Sequence, residues 1–229
     1  MEKITTAIIL DSENKAPHLD QNIPQGLTDV NGKSILQRQF EQLHAAGLKT
    51  VVISSHQYAE EYDKFIQEVQ SAYPGMNIYS IKEKIPLGSG GAIKNTMLNT
   101  HIEHALTLKS NTYIDIDLLE FIKFHEDNNF ENSACLSKNA NGPIKSYLKT
   151  KDNYIESISP LKVEDSLYSS GIYILDVEIF NLTHLQIFSL SKDIFPSLSG
   201  KEFGAYISEN MIYKIEDEDA YKSTIDSLK

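Results

Sequence analysis

The sequence contains one cysteine, no tryptophan and one arginine, and its acidic side chains outnumber the basic ones by 32 to 21. The single thiol, Cys135, excludes an internal disulfide framework and favours a reducing compartment, so we expect a cytoplasmic protein. The formal charge of −11 opposes nucleic-acid binding, because phosphate-backbone contacts need a face rich in lysine and arginine. A ligand with several negative charges would therefore need local lysines, a metal ion or backbone amides.

Long hydrophobic runs are also missing. The first apolar stretch, residues 4–10, meets Asp11 and is far shorter than the roughly 20 apolar residues of a membrane span. We therefore expect neither export nor membrane insertion. With 229 residues, 41% of them hydrophobic, the chain is long enough to bury a large core. No repeat or linker is apparent, so we predict one domain over residues 1–229. Near residue 130 the predicted elements change from alternating strands and helices to mainly short strands.

Up to that point, apolar runs alternate with helical patterns. Strands are predicted at 4–10, 50–54, 77–81 and 104–108, with helices between them, the first capped by Ser34. This order indicates a parallel sheet with helices on both faces and a ligand crevice at the carboxyl ends of the strands. Beyond residue 130 the sequence predicts short strands at 133–137, 146–150, 154–158 and 170–175, helices at 177–182, 191–198 and 217–228, and a β pair within 203–215.

Two loops are candidates for function. The polar segment from Asp11 to about Gly32 is longer than most structureless connections, which is typical of functional loops. The turn Gly88-Ser-Gly-Gly91 opens a helix, where free amides and a partial positive charge suit an anion or a base edge. Glycine motifs this short also occur in ordinary strand-to-helix turns.

Few patterns in the sequence indicate a metal site or a catalytic nucleophile. Asp11, Asp115 and Asp117 could meet at a magnesium ion in the crevice, but Asp117 is already explained as a helix cap. No two histidines have the i, i+4 ligand spacing, and Cys135 has no local partner. The patterns GxSxG and Walker A are absent, as is GxGxxG after the first strand. The acidic run 216–219 is interpreted as helix capping.

The order of motifs resembles the sugar-1-phosphate nucleotidyltransferases, especially the heptose- and mannose-1-phosphate guanylyltransferase type. The segment LGSGGAIK at 87–94 is similar to the family pattern LGTGGAxK, and PQGLTDVNGKSIL at 24–36 is similar to PKPLxPVxGKPxL. Four further segments resemble the family. The first strand is similar at 7–10, and the stretch that follows the family's NGD motif is similar at 112–118. The family's AGIYxL pattern is similar at 170–175, and one of its helix starts at 192–196. The resemblance implies an α/β fold with a Rossmann-like, mixed and mostly parallel sheet flanked by helices, of GT-A type. It also implies a nucleotide side (1–130), a β-rich sugar side (131–229), and attack of a sugar 1-phosphate on the α-phosphate of a nucleoside triphosphate.

The departures from the family fall on its charged residues. Residues 12–17, SENKAP, replace the GGxGTR loop, so that Glu13 would face phosphates and Pro17 stands where the arginine belongs. Gln25 replaces the lysine of PKP, and Asn111 and Lys214 align with the two aspartates that bind magnesium. The Glu-Lys pair before AGIY is not recognisable near residues 159–161. Loss of one such contact typically costs about 10²–10³ in rate, so several losses would remove most of the catalysis.

We therefore hypothesise a nucleotidyltransferase-fold protein without transferase activity, and assign no catalytic residue and no metal ligand. One alternative is that it keeps a pocket for a nucleotide, a sugar phosphate or an NDP-sugar. The other is that it binds a protein partner and regulates a true enzyme, or forms a homodimer. The competing hypothesis is an active enzyme with a relocated site. In it, Asp11, Asp115 or Glu13 would bind Mg²⁺. Lys15 would bind the phosphates, or Lys162 or Lys214 would replace the lost cations. The predicted ligand-binding residues are Leu10, Gln25, Leu87, Gly88, Ser89, Gly90, Asn111, Ser170 and Gly171.

Overall fold

A computed structural model describes residues 3–12, 23–142, 146–198 and 203–228. The helices are α1 (Ile35–Ala45), α2 (Ala59–Val69), α3 (Gly88–Thr100), α4 (Leu118–Asp127) and α5 (Glu218–Ser227). The strands are β1 (Thr6–Leu10), β2 (Asp29–Val30), β3 (Lys33–Ser34), β4 (Thr50–Ser55), β5 (Asn77–Lys82), β6 (His104–Lys109), β7 (Thr112–Ile114), β8 (Asn132–Asn141), β9 (Tyr147–Lys151), β10 (Tyr154–Ser159), β11 (Leu167–Asp176) and β12 (Phe203–Lys214).

The first half forms the predicted parallel sheet, in the order β5-β4-β1-β6. Side chains of β1 alternate between its two faces. Ala7 and Ile9 join the core that contains α1 and α2, whereas Ile8 and Leu10 join the core that contains α3. Because both faces are covered, the strand reads as an uninterrupted apolar run rather than an alternating one. The predicted helix cap is also confirmed, since Ser34 Oγ accepts a hydrogen bond from Gln37 N at the start of α1.

The second half extends the same sheet with antiparallel pairs. Strand β11 lies antiparallel to β6, and the order continues through β8, β12, β10 and β9. Only β8 and β12 are parallel among the pairs described there. The sheet is therefore mixed, as expected, and its parallel strands lie mainly in the first half.

Two predictions for the second half are corrected by the structure, and a third is confirmed. The expected β pair within 203–215 is one strand, β12, whose register with β8 shifts between Ser208 and Met211. That irregularity breaks the sequence pattern without ending the strand. The helix expected at 177–182 is present with those bounds, and it is a 3₁₀ helix. The one at 191–198 is a π turn, Leu190–Ile194, followed by a 3₁₀ turn that contains Pro196. No helix in the described ranges is long and apolar enough to span a membrane.

Candidate functional site

Two adjoining cavities lie where the parallel strands end. The larger has a volume of about 450 Å³ and the smaller about 250 Å³, and Lys109 and Glu216 line both of them. Leu10 and Lys109 are the last residues of β1 and β6, so the cavities occupy the predicted position at the carboxyl ends of the strands. We call the larger one the lysine cavity, after Lys109, Lys192 and Lys214, and the smaller one the glycine cavity, after Gly88.

The glycine cavity is lined by acidic side chains. Asp11 follows β1, and its carboxylate accepts hydrogen bonds from Ser55 Oγ and Tyr62 Oη, both at 2.8 Å. Burial, with the charge of Asp11 beside it, raises the pKa of Tyr62 well above its usual value, so the phenol stays a donor. Glu83 is buried and accepts a hydrogen bond from Ser54 Oγ at 2.7 Å. With Glu216, three carboxylates therefore surround this cavity.

The glycine turn packs against the 186–190 segment. The N–H groups of Gly90 and Gly91 both donate to Phe188 O, at 3.0 and 3.4 Å. A Cβ on Gly90 would lie 2.2 Å from the Phe188 ring, and one on Gly91 would lie 2.3 Å from Gln186 O. The expectation that this helix start offers its amides to a ligand is thus wrong for Gly90 and Gly91, because close packing of the chain on itself engages them.

A buried amide pair lies beneath the glycine cavity. Asn111 Nδ2 donates to Gln25 Oε1 at 2.8 Å, and the two residues are 2% and 1% exposed. Gln25 Nε2 reaches Glu216 O at 3.4 Å. Gln25 is held in place by tight packing of its neighbour, since a Cβ on Gly26 would come within 2.8 Å of Ser110 Cβ. The side chain of Gln25 thus fills the space beside Asn111.

A buried ion pair connects the two cavities. Lys214 Nζ, at the end of β12, lies 2.8 Å from Glu216 Oε1, and the side chains are only 9% and 19% exposed. The prediction that Glu216 belongs to a helix cap is wrong. Asp217 caps α5 by accepting from Ala220 N at 2.9 Å, while Glu216 points to the lysine.

A bend in β11 shapes the lysine cavity. The register with β8 shifts between Ser169 and Ile172, and Gly171 has a φ of +77°, a conformation that favours glycine. Ser170 Oγ donates to Cys135 O at 2.6 Å, which fixes the bend. The cavity wall is rich in hydroxyl groups: Ser146, Ser159, Ser169, Ser170, Ser189, Ser191, Thr112 and Tyr173.

The predicted ligand-binding residues divide into four sets. Leu10, Gly88, Ser89 and Asn111 line the glycine cavity, and Ser170 and Gly171 line the lysine cavity. Gln25 lies behind Asn111. Leu87 and Gly90 pack against the 186–190 segment. Sequence reasoning missed Lys109, Lys192 and Glu83. Lys109 ends a parallel strand, which was a usable signal, whereas the fold alone brings the other two to the cavities.

Of the residues in the relocated-site hypothesis, Lys214 lines a cavity, and Lys162 donates to Tyr168 Oη instead. Glu13, Lys15 and Pro17 lie outside the described residues. Asp115 accepts from Tyr113 Oη at 3.3 Å, and Asp117 caps α4 through Leu119 N. Within the described ranges, no group of three or more histidine, cysteine, aspartate or glutamate side chains could hold a metal ion. Asp117 caps α4, as interpreted from the sequence, and the alternative in which Asp11, Asp115 and Asp117 share a magnesium ion is not found among the described residues. Burial raises the pKa of the Cys135 thiol to about 12, which suits a structural role.

Comparison with known proteins identifies the family of the chain. The family model described as nucleotidyl transferase matches residues 19–216. The chain belongs to the nucleotidyl transferase family. It is 31% identical over 171 residues to a D-glycero-alpha-D-manno-heptose 1-phosphate guanylyltransferase of Campylobacter jejuni, covering 72% of each chain. It is 28% identical over 192 residues to a mannose-1-phosphate guanyltransferase of Yarrowia lipolytica.

The coverage differs between these nucleotidyl transferase relatives. The match takes in 80% of this chain but 52% of the Yarrowia protein, so the chain spans about half the length of that relative. Among solved structures, HddC from Yersinia pseudotuberculosis complexed with GMP-PN superimposes with a TM-score of 0.76 over 99% of this chain and 100% of its own, at 24% identity. That likeness confirms the expected Rossmann-like α/β fold.

Proposed function

We propose that this nucleotidyl transferase family member binds a sugar 1-phosphate or an NDP-sugar without catalysing nucleotidyl transfer. The observation that carries the proposal is the pairing of Lys214 with Glu216 beside the Asn111–Gln25 amide pair. The family resemblance expects aspartates that bind magnesium at positions 111 and 214, and a lysine that binds phosphate at position 25. The chain instead has an amide at Asn111, an ammonium group at Lys214 and a second amide at Gln25. Each of these groups already has a partner within the protein.

The distribution of charge supports a sugar phosphate over a nucleoside triphosphate. Asp11, Glu83 and Glu216 line the glycine cavity with one cation, Lys109, so the formal charge of its described lining is −2, and a triphosphate would bring several more negative charges. Like charges at roughly 4 Å repel by about 4 kcal/mol at an effective dielectric constant of 20. The lysine cavity instead combines ammonium groups with many hydroxyl groups, which suit a phosphate and a polyol respectively.

The names of the relatives suggest the ligands to test first. They are guanylyltransferases of mannose 1-phosphate and of a manno-heptose 1-phosphate. Mannose 1-phosphate and GDP-mannose are therefore the first probes, with free mannose as the control that lacks a phosphate.

Thermal shift and calorimetry with these probes test the binding. We expect mannose 1-phosphate and GDP-mannose to raise the Tm, by several degrees at about 100 times Kd, since this ligand excess adds about 2.7 kcal/mol to the unfolding free energy. Free mannose should leave the Tm unchanged. A panel in which no sugar phosphate or NDP-sugar binds, or in which GTP with magnesium binds more tightly than either, would contradict the proposal.

A further inference from the structure

The residues at the family's magnesium position do not fit a divalent cation. Asn111 offers one neutral oxygen, Oδ1, which also accepts from Thr112 Oγ1 at 3.3 Å, and its amide is oriented by Gln25. Mg²⁺ is normally held by one or two carboxylates, and an ammonium group has no lone pair to offer it. The buried ammonium of Lys214 would repel the ion instead.

The carboxylates that line the same cavity as Asn111 are engaged elsewhere. Asp11 accepts from Ser55 and Tyr62, Glu83 accepts from Ser54, and Glu216 pairs with Lys214. No group of three or more metal-ligating side chains occurs among the described residues.

A lysine this well buried needs compensation, which Glu216 supplies. The Lys214 side chain is 9% exposed, and an unpaired charge there would be costly. Glu216 at 2.8 Å fixes the ammonium at the boundary of the two cavities, and Lys214 also lines the lysine cavity. An ammonium group carries three donors, so it can hold a carboxylate and an anionic ligand together.

The charge of the lysine cavity matches a phosphate monoester. Lys109, Lys192 and Lys214 face one carboxylate, Glu216, among the described lining residues, which gives a formal charge of +2. A phosphate monoester carries about −1.5 to −2 charges at neutral pH. This local positive charge stands in a chain with a formal charge of −11.

We infer that the lysine cavity binds the phosphate of its ligand directly on lysine ammonium groups, with Lys214 in the place of a divalent cation, so that binding needs no metal. The inference rests on the proposed function, because it concerns how the same ligand is held. No covalent step is involved.

Calorimetric titration with mannose 1-phosphate, in excess MgCl₂ and again in excess EDTA, tests the inference. We expect the two Kd values to agree within about threefold. Lys214→Met and Lys192→Met should each weaken binding about 10-fold or more in both buffers, because each variant removes a charged hydrogen-bond donor to the phosphate. Lys192 is exposed, so its replacement leaves the core intact. Lys138→Met is the matched control, because Lys138 pairs with Glu209 on the surface, outside either cavity, and should leave Kd unchanged.

The remaining outcomes separate this inference from the proposed function. Binding that is lost in EDTA and restored by magnesium would overturn the inference while leaving the proposed function intact. Metal-independent binding that is unaffected by both Lys214→Met and Lys192→Met would also overturn it. Absence of binding in both buffers would overturn the inference and the proposed function together.

Discussion

The double variant Asn111→Asp/Lys214→Asp is expected to bind Mg²⁺, whereas the unaltered chain is not. It would place two new carboxylates next to Glu216, whose side chain lies 2.8 Å from Lys214 Nζ in the unaltered chain. Carboxylates are preferred magnesium ligands, and reversing a unit charge roughly 4 Å from a divalent ion changes the Coulomb energy by about 17 kcal/mol at an effective dielectric constant of 20, from which the cost of desolvating the ion is subtracted. We therefore expect affinity for Mg²⁺ to rise at least about 100-fold, measured by calorimetry or by Mn²⁺ relaxation as a proxy.

The single variant Asn111→Asp is the matched control for this experiment. It adds a carboxylate but keeps the Lys214 ammonium nearby, so it should not bind Mg²⁺. Circular dichroism establishes that both variants are folded. A folded double variant with no gain in magnesium affinity would show that residues 111 and 214 do not meet at one ion, and that the family alignment of this site is wrong.

The second large effect concerns stability in acid. His125 in α4 is fully buried, with Nδ1 at 2.9 Å from Ser133 Oγ and with no partner for Nε2 in the described part of the chain. Burial, with a smaller contribution from the charge of His104, lowers the pKa of His125 from 6.5 to about 4. The native state therefore holds the ring neutral, whereas the unfolded chain protonates it below about pH 6.5. Its contribution to stability is complete above pH 6.5 and is lost as the pH falls to 4.

We expect this group to lower the free energy of unfolding by about 3 kcal/mol between pH 6.5 and 4, at 1.36 kcal/mol per unit of pKa. Urea denaturation of the unaltered chain and of His125→Gln, across that range, measures it. The difference between the two should shrink as the pH falls, since glutamine does not titrate. His184→Gln, at an exposed site, is the matched control and should run parallel to the unaltered chain. A constant difference for His125→Gln would contradict the prediction.

Local patterns predicted the elements near the site but not the contacts between them. The Ser34 cap and the strand predicted at 4–10, observed at Thr6–Leu10, were readable because a cap needs a hydroxyl and a strand buried on both faces is continuously apolar. The single strand β12 was misread, since its irregularity near Ser208 breaks the pattern. The contacts of Gln25 with Asn111 and with Glu216 depend on how distant segments pack, which no local period encodes.

The resemblance and the structure contributed different parts of the site. Motif order identified Gln25, Asn111 and Lys214 as departures from the family pattern, and family membership is confirmed by the match over residues 19–216. It did not show that Glu216 neutralises Lys214, or that Gly90 donates its amide to Phe188. Gly90 and Phe188 are distant in sequence, and Glu216 was interpreted as part of a helix cap. Only the three-dimensional structure reveals these two contacts.

Pyrophosphate release by the unaltered chain tests the central claim most directly. The assay supplies a panel of nucleoside triphosphates with mannose 1-phosphate and magnesium, and uses the mannose-1-phosphate guanyltransferase of Yarrowia lipolytica as the positive control. We predict no release above a protein-free blank under conditions where calorimetry shows the sugar phosphate bound. Magnesium-dependent release that disappears on Asp115→Ala or Asp11→Ala would contradict the account, because it would demonstrate a working metal site built from other carboxylates.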